Sequence, residues 1–298
     1  MTKKIEEKSD LTRRNLLGRA GLALGGLVSL GALQGCGDGG GTTEEPPPPP
    51  PTGPQVNEFP YQQHLPDGYA MADLPAVQEA AYHGYYAGGC CHGAYSAILA
   101  KLAADVGAPY DKLPLDFGKF GGGGIASYGS ICGAVLGGVL HINMMVADAT
   151  ARGNMMTDLM RWYERTAFPM YSPAAVDAAE TGLTLDFSQS NLVQLGVVPG
   201  THLCHGSVTR WCSEMGVAAG GADKKARCAR LTADVAGKVA EMLNAYLANA
   251  AYTPAGRDDT SNTCVACHTP ATTNKPPVAS GMECASCHSD KVEGHPGL

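Results

Sequence analysis

The chain has 298 residues, of which 44% are hydrophobic and 16% are charged. This composition excludes an intrinsically disordered protein, and the length suffices for about one or two domains with a hydrophobic core. Its 21 Lys and Arg residues against 28 Asp and Glu residues exclude a protein that binds nucleic acid through phosphate contacts. The 11 cysteines cannot all pair within one chain, and their share is too low for a disulfide scaffold. We therefore expect a further chemical use for the cysteines.

Residues 1–36 predict an export signal. A basic segment with Arg13 and Arg14 resembles the twin-arginine motif, and an apolar run rich in Gly and Ala follows it up to Cys36. The end of this run also resembles a lipobox, whose Cys receives lipid after cleavage; plain cleavage without lipid is the alternative. We expect a protein on the periplasmic side, exported by the twin-arginine route, with Cys36 as its lipid anchor to the membrane.

Residues 37–58 predict a linker between this signal and the folded part. They include a run of glycines and the six consecutive prolines Pro46–Pro51. Such a segment cannot bury a core, and its prolines favour a semi-rigid polyproline spacer.

Residues 59–251 predict a mainly helical domain, because no strand-like alternation of apolar and polar residues persists. Residues 222–251 have the clearest helical pattern, with apolar side chains along one face. The apolar stretch 127–149 is expected to be a buried core helix rather than a membrane span, because it contains polar residues such as His141. Its small residues, among them Gly137, predict close approach of a neighbouring backbone. The remaining predicted elements are helices in 72–104 and 155–166 and a loop in 170–200.

The tail, residues 252–298, is polar and loop-like and carries two C-x-x-C-H motifs. This motif is the attachment signal of a c-type haem, in which the two thiols form thioethers and the adjacent His binds the iron. The doubled motif predicts two c-type haems. The expected thioether cysteines are Cys264, Cys267, Cys284 and Cys287, and the expected proximal iron ligands are His268 and His288.

The same four tail cysteines also match the C-x2-C-x16-C-x2-C spacing of a four-thiolate zinc ribbon. A zinc ribbon needs no histidine, yet a His follows the second Cys of both pairs. The predicted export also favours haem, because c-type haems are attached outside the cytoplasm. A structural zinc ribbon, or a protein held by disulfides, remains the alternative.

A haem iron that only carries electrons needs a sixth ligand. A methionine could supply it and would raise the reduction potential. His141, inside an apolar helix, is expected to be a hydrogen-bonded core residue rather than a ligand. The available histidines are His64, His83, His92, His141, His202, His205 and His295.

Six further cysteines lie in the helical domain. Thiolates that folding brings together suit an iron–sulfur cluster or a thiol redox pair. Structural disulfides are the alternative in an oxidising compartment. These residues are Cys90, Cys91, Cys132, Cys204, Cys212 and Cys228.

The segments around these cysteines, together with the two tail motifs, resemble the split-Soret cytochrome c family over residues 59–298. The helical part is similar to a wider group of redox proteins named after a C-GCAxxG-C-C pattern, most clearly at Gly121–Gly124 and Cys132. The chain departs from that pattern at Ile125, after the glycine run, and at Cys91, which follows Cys90.

The resemblance implies a homodimer with two bis-histidine haems per chain, packed close together, and with a ligand that crosses between subunits. On this basis His205 is the first candidate for a distal iron ligand, followed by His83 and His92. The resemblance also implies an additional iron–sulfur cluster in the helical domain. Its candidate ligands are Cys90, Cys132, Cys204, Cys212 and Cys228.

The sequence therefore predicts a mainly α protein, with a helical cysteine-containing domain at 59–251 and a loop-rich dihaem tail at 252–298. We expect an electron carrier rather than an enzyme, because a bis-His haem has no open coordination site. Its acidic charge suits a basic redox partner. The first alternative is a reductase whose cysteine site reacts and whose haems deliver electrons; an exposed Cys with a low pKa among Cys90, Cys91 and Cys212 would favour it.

Overall fold

The computed structural model describes residues 59–249, 252–273, 276–278 and 281–292. The predicted signal at 1–36 with Cys36, the predicted linker at 37–58 and the candidate ligand His295 lie outside these residues. The described part consists of α-helices, short 3-10 helices and loops, and it contains no β-strand. The prediction of a mainly α fold is confirmed.

The first two helices form an adjacent pair, α1 (Leu74–Gly88) and α2 (Cys90–Val106). The Asp73 side chain caps α1 by accepting a hydrogen bond from the Ala76 amide at 3.2 Å. Gly89 separates the two helices with a φ of 87°, a conformation that favours glycine. The region 72–104 therefore forms two helices, which are separated only at Gly89.

The next two helices are α3 (Gly133–Met145) and α4 (Ala149–Arg165). A Cβ atom at Gly137 would lie 2.7 Å from the Cys91 carbonyl oxygen, so α3 approaches the α2 backbone as its small residues predicted. His141 is fully buried and its Nε2 lies 2.8 Å from the Tyr95 carbonyl oxygen, which confirms it as a core residue. No helix in the described residues is long and apolar enough to cross a membrane.

After α4 comes the segment 170–200, which is a loop as predicted except for the short helix α5 (Leu192–Leu195). Helix α6 (Cys204–Met215) follows it. The buried Glu180 carboxylate anchors the loop, because it accepts hydrogen bonds from the Tyr82 and Tyr86 hydroxyls at 2.8 Å and pairs with Arg230. The helix α6 carries Cys204 and Cys212 and was not predicted from the sequence.

The long helix α7 (Ala222–Asn249) is the centre of the core, where it packs against α1, α2 and α3. Its apolar face is fully buried at Val235, Val239 and Leu243, as its periodicity predicted. It ends within the predicted range 222–251.

The tail contains two short helices, α8 (Asp259–Cys267) and α9 (Ala285–Val292). The Asp258 side chain caps α8 by accepting from the Ser261 amide at 2.6 Å. The first C-x-x-C-H motif ends at His268, one residue after α8, and the second begins at Cys284, one residue before α9. The remaining short elements are 3-10 helices at Tyr61–His64, Tyr110–Lys112 and Leu115–Gly121.

Candidate haem and cysteine sites

The two C-x-x-C-H motifs lie side by side in the tail. The Ser261 hydroxyl, fully buried in the first turn of α8, accepts a hydrogen bond from the Cys284 amide at 2.7 Å. Cys264 lies one helical turn after Ser261, and its thiol interacts with the neighbouring Cys284. Burial and the neighbouring Cys284 raise the pKa of Cys264 above its ordinary value. The first thiols of both motifs therefore meet.

These two thiols line a cavity of about 400 Å³. Both motif histidines, His268 and His288, line the same cavity. An adjoining cavity of about 570 Å³ shares part of this lining, including His268. Both volumes lie within the range of small-molecule and cofactor sites. The other residues of the first cavity are Val265, Pro276, Val278, Lys291 and Val292.

The ring of His268 is oriented for iron binding. Its Nδ1 lies 3.0 Å from the Pro276 carbonyl oxygen, which can only accept a hydrogen bond. In the neutral imidazole the proton is then on Nδ1 and the lone pair is on Nε2. A backbone carbonyl that fixes the tautomer in this way is typical of a metal-binding histidine.

The donor set fits a c-type haem. The site combines a thiol from each motif, an imidazole from each motif and largely apolar walls. Cys267 and Cys287 are exposed and do not line the cavity, so the four thiols do not surround one point as a zinc ribbon requires. Across the described residues, no three His, Cys, Asp or Glu side chains are arranged to hold a metal ion.

The residue before the second motif attaches the tail to helix α4. Glu283 is buried, and its carboxylate accepts a short hydrogen bond from Arg165 and lies 3.5 Å from Arg161 Nε. The same carboxylate accepts from the Asp258 amide at 3.2 Å, at the start of the first motif's helix. Glu283 therefore joins both haem motifs to each other and to α4.

A second attachment lies at the beginning of the tail. The buried Asp158 of α4 accepts hydrogen bonds from the Ala255 amide at 2.7 Å and the Tyr252 hydroxyl at 3.0 Å. Asp158 also pairs with Arg161 at 2.9 Å. The tail is thus held along one side of α4 by buried charged groups.

The helical domain brings four of its cysteines together, three of them at the N-termini of helices. Cys90 is the first residue of α2, Cys132 is the residue before α3 and Cys204 is the first residue of α6. Cys228, on the first half of α7, completes the group. Amides at helix N-termini stabilise thiolates, so this placement suits a thiolate site.

Backbone pairing between two loops draws these ends together. The Cys132 amide donates to the His202 carbonyl oxygen at 2.8 Å, and the Cys204 amide donates to the Ser130 carbonyl oxygen at 2.6 Å. A Cβ atom at Gly133 would lie 2.5 Å from Cys90 Sγ, so only glycine allows this approach. The family resemblance implied that these cysteines converge, whereas their spacing in the sequence did not.

Cys90 and Cys132 are buried and Cys204 and Cys228 are half-buried, and burial disfavours ionised thiols. Burial, followed by the neighbouring Cys132 and Cys228, raises the pKa of Cys90. The pKa of Cys204 is raised to about 12 by the same causes. Cys212 lies beside Cys228, and burial raises its pKa as well. Cys90, Cys204 and Cys212 therefore lack the low pKa that a reactive nucleophile needs.

A buried cation at the cysteine group is a feature that the sequence analysis missed. Arg227 Nη1 lies 3.8 Å from Cys228 Sγ, and its Nη2 donates to the Ser207 hydroxyl at 2.9 Å. The Ser207 hydroxyl is bonded to the Tyr163 hydroxyl at 2.7 Å, and Tyr163 also bonds Cys132. Burial opposes the charge on Arg227, but Tyr163, Cys228 and Cys132 raise its pKa overall. A signal was present, because Arg227 lies on the otherwise apolar face of a helix next to a cysteine.

The candidate distal histidines lie elsewhere on the helical domain, and none lines the tail cavities. His83 Nδ1 lies 2.8 Å from Asp177 and its Nε2 lies 3.3 Å from Glu79, so both ring nitrogens face carboxylates. His92 is buried in α2. His205 is exposed in the first turn of α6.

Fold and sites together define a helical, cysteine-rich redox protein with two C-x-x-C-H motifs in its tail. Residues 89–242 match the family described as "Putative redox-active protein (C_GCAxxG_C_C)". Over 96% of its length the chain is 31% identical to the complete split-Soret cytochrome c of Desulfovibrio desulfuricans. The chain belongs to the split-Soret cytochrome c family, and its role is electron transfer.

The similarity to a solved structure supports the same family. It is described as a novel iron centre in the split-Soret cytochrome c from Desulfovibrio desulfuricans, and it resembles this chain with a TM-score of 0.65 and 29% identity. The similarity covers 76% of this chain and 94% of that structure.

Proposed function

We propose that this protein is an exported electron carrier with two c-type haems, one on each tail motif. The observation that carries the proposal is the convergence of Cys264, Cys284, His268 and His288 on one largely apolar cavity. Haem bound there supplies a reversible one-electron couple.

The residues of the tail have separate roles in this proposal. The motif thiols form the thioethers, and contact between Cys264 and Cys284 would hold two attachment points close enough for electron exchange between the haems. His268 and His288 bind the irons, and the Pro276 carbonyl oxygen holds the His268 ring in its orientation. The valines that line the cavity exclude water.

We further propose that the cysteine group of the helical domain holds an iron–sulfur cluster. The ligands would be Cys90, Cys132, Cys204 and Cys228, with Cys212 as a neighbour. These side chains would have to move closer together around the iron, because among the described residues no three such groups are placed to hold a metal ion. Three helix N-termini and the buried Arg227 would stabilise the negative charge of the thiolates. The related solved structure is described as containing a novel iron centre, which supports an additional iron site in this family.

Helix α4 connects the two proposed sites. Its residues Asp158, Arg161 and Arg165 hold the tail, and Tyr163 on the same helix contacts Cys132 through its hydroxyl. Electrons exchanged between haem and cluster would therefore pass beside one rigid helix. The reductase alternative receives no support from the thiols, because Cys90, Cys91 and Cys212 are buried and their pKa values are raised.

The sixth iron ligand is proposed to come from a second copy of the chain. His205 is exposed and lies next to exposed apolar side chains, and within one chain it does not line the tail cavities. The neighbouring exposed residues are Ile125, Tyr128 and Leu203. Such a patch suits an interface between copies of this chain.

Location and partner are also proposals that rest on the sequence. The signal at 1–36 supports export to the periplasmic side and a lipid anchor at Cys36. The formal net charge of −7 supports a basic redox partner, whose association would weaken as salt increases.

A haem count tests the central proposal. The protein is produced in a host with haem-attachment machinery, and covalent haem is measured as the pyridine haemochrome. We expect two haems per chain, and one haem after Cys264→Ser or Cys284→Ser. A colourless product with about one zinc per chain would replace the proposal with a zinc ribbon.

A further inference from the structure

We propose that Cys264 and Cys284 form a disulfide between the two haem motifs before haem is attached. Cys264 and Cys267, or Cys284 and Cys287, would be the partners expected from sequence spacing. In the structure the second thiol of each motif is instead exposed, whereas the two first cysteines interact with each other and line the same cavity.

The local structure holds these two thiols together without help from haem. The Asp258 carboxylate caps the helix that carries Cys264, and the buried Ser261 hydroxyl on that helix binds the Cys284 amide. Glu283, the residue before Cys284, binds the Asp258 amide and the arginines of α4. Each of these bonds uses backbone or side-chain groups that haem attachment leaves unchanged.

The reaction is a thiol–disulfide exchange. A small disulfide such as oxidised glutathione accepts the two electrons and becomes two thiols, while the Cys264 and Cys284 thiols lose two protons and form one S–S bond. The raised pKa of Cys264 slows the exchange without preventing it.

This disulfide would control haem attachment, a consequence that depends on the proposed haem sites. A thioether forms from a free thiol, so one S–S bond would remove a thiol that each motif needs. One two-electron reduction would then open both motifs together. Disulfides within each motif would instead require a separate reduction for each haem.

The positions of the methionines allow a direct test. Cyanogen bromide cleaves after Met242 and Met282, which gives a fragment 243–282 with Cys264 and Cys267 and a fragment 283–298 with Cys284 and Cys287. The full chain is produced without haem-attachment machinery, oxidised with glutathione disulfide, blocked with iodoacetamide, cleaved and analysed by mass spectrometry without reduction. We expect the two fragments to remain linked and to separate after reduction.

Serine variants identify the linked pair. Cys264→Ser and Cys284→Ser should each abolish the link between the fragments, whereas the matched controls Cys267→Ser and Cys287→Ser should retain it. Separated fragments from the unaltered chain, each with an internal disulfide, would overturn the inference. A link that survives Cys264→Ser would do the same. The haem count is an independent measurement, so a linked chain that binds no haem would refute the proposed function and leave this inference intact.

Discussion

At the scale of single residues, the buried Asp234 couples stability to pH. Its carboxylate accepts a hydrogen bond from the Met170 amide at 2.9 Å, and burial raises its pKa to about 7. Between pH 4 and 7 the folded state therefore binds a proton that the unfolded state has lost. The contribution of Asp234 to the free energy of unfolding falls as the pH rises through this window, by about 1.4 kcal/mol per pH unit.

Asp234→Asn should remove this dependence while keeping an oxygen that accepts from Met170. We expect the urea midpoint of the unaltered chain to fall relative to that of the variant as the pH rises from 4 to 7. Parallel pH profiles for the two proteins would contradict the assignment.

Arg227 is the residue most closely tied to the proposed cluster. At 3.8 Å from Cys228 Sγ, its charge is worth about 1 to 4 kcal/mol of interaction with a thiolate, depending on local screening. Reduction adds negative charge to a cluster, so Arg227→Met should lower the reduction potential of the iron site. Arg227→Lys, which keeps the charge, should lower it less. Potentiometric titration followed by electron paramagnetic resonance measures the reduction potential of the iron site in both variants. Equal potentials for the two variants would show that the charge at position 227 does not affect the potential.

At the scale of elements, Glu283 determines how the tail attaches to α4. Glu283→Gln removes the charge that pairs with Arg165 and Arg161, while Arg161 keeps its partner Asp158. We expect faster amide hydrogen exchange in residues 252–292 and unchanged exchange in α7. The control is Glu241→Gln, which removes an exposed pair with Lys238 at 3.4 Å and should change neither region.

The elements also show which features of the fold could be predicted from sequence. The helix α7 was predictable because its apolar face repeats over many turns. The break at Gly89 was not, because periodicity alone could not show which of several glycines in this region would end a helix. Helix α6 was missed, because its sequence mixes polar and apolar residues and follows a loop rich in Pro and Gly.

For the sites, the haem motifs were predictable because their ligands are adjacent in sequence. The cysteine group was implied only by the family resemblance and not by local spacing, because Cys90 and Cys228 are brought together by tertiary packing over a long sequence separation. The partnership of Arg227 with Ser207 and Tyr163 depends on the same packing. Local sequence patterns therefore predicted the candidate haem ligands, and only the fold showed which side chains surround the sites.

At the scale of the whole molecule, the exposed patch beside His205 predicts a dimer that completes the haem sites. The patch is held in place by the loop pairing that positions Cys204, since the His205 amide donates to the Gly129 carbonyl oxygen at 3.0 Å. Tyr128, the residue before Gly129, is 89% exposed. The apolar surface of such an exposed aromatic side chain is removed from water only if another molecule covers it.

Tyr128→Asp should therefore shift the protein from dimer to monomer in sedimentation velocity, because it places a charge in the proposed interface. Val193→Asp is the matched control, since Val193 is 87% exposed on α5, away from this loop in sequence, and should leave the dimer intact. His205→Ala should retain the dimer but convert one haem per chain from low spin to high spin, because its iron loses a ligand. If Tyr128→Asp produces monomers whose haems all stay low spin, the sixth ligands come from within one chain and the crossing ligand is excluded.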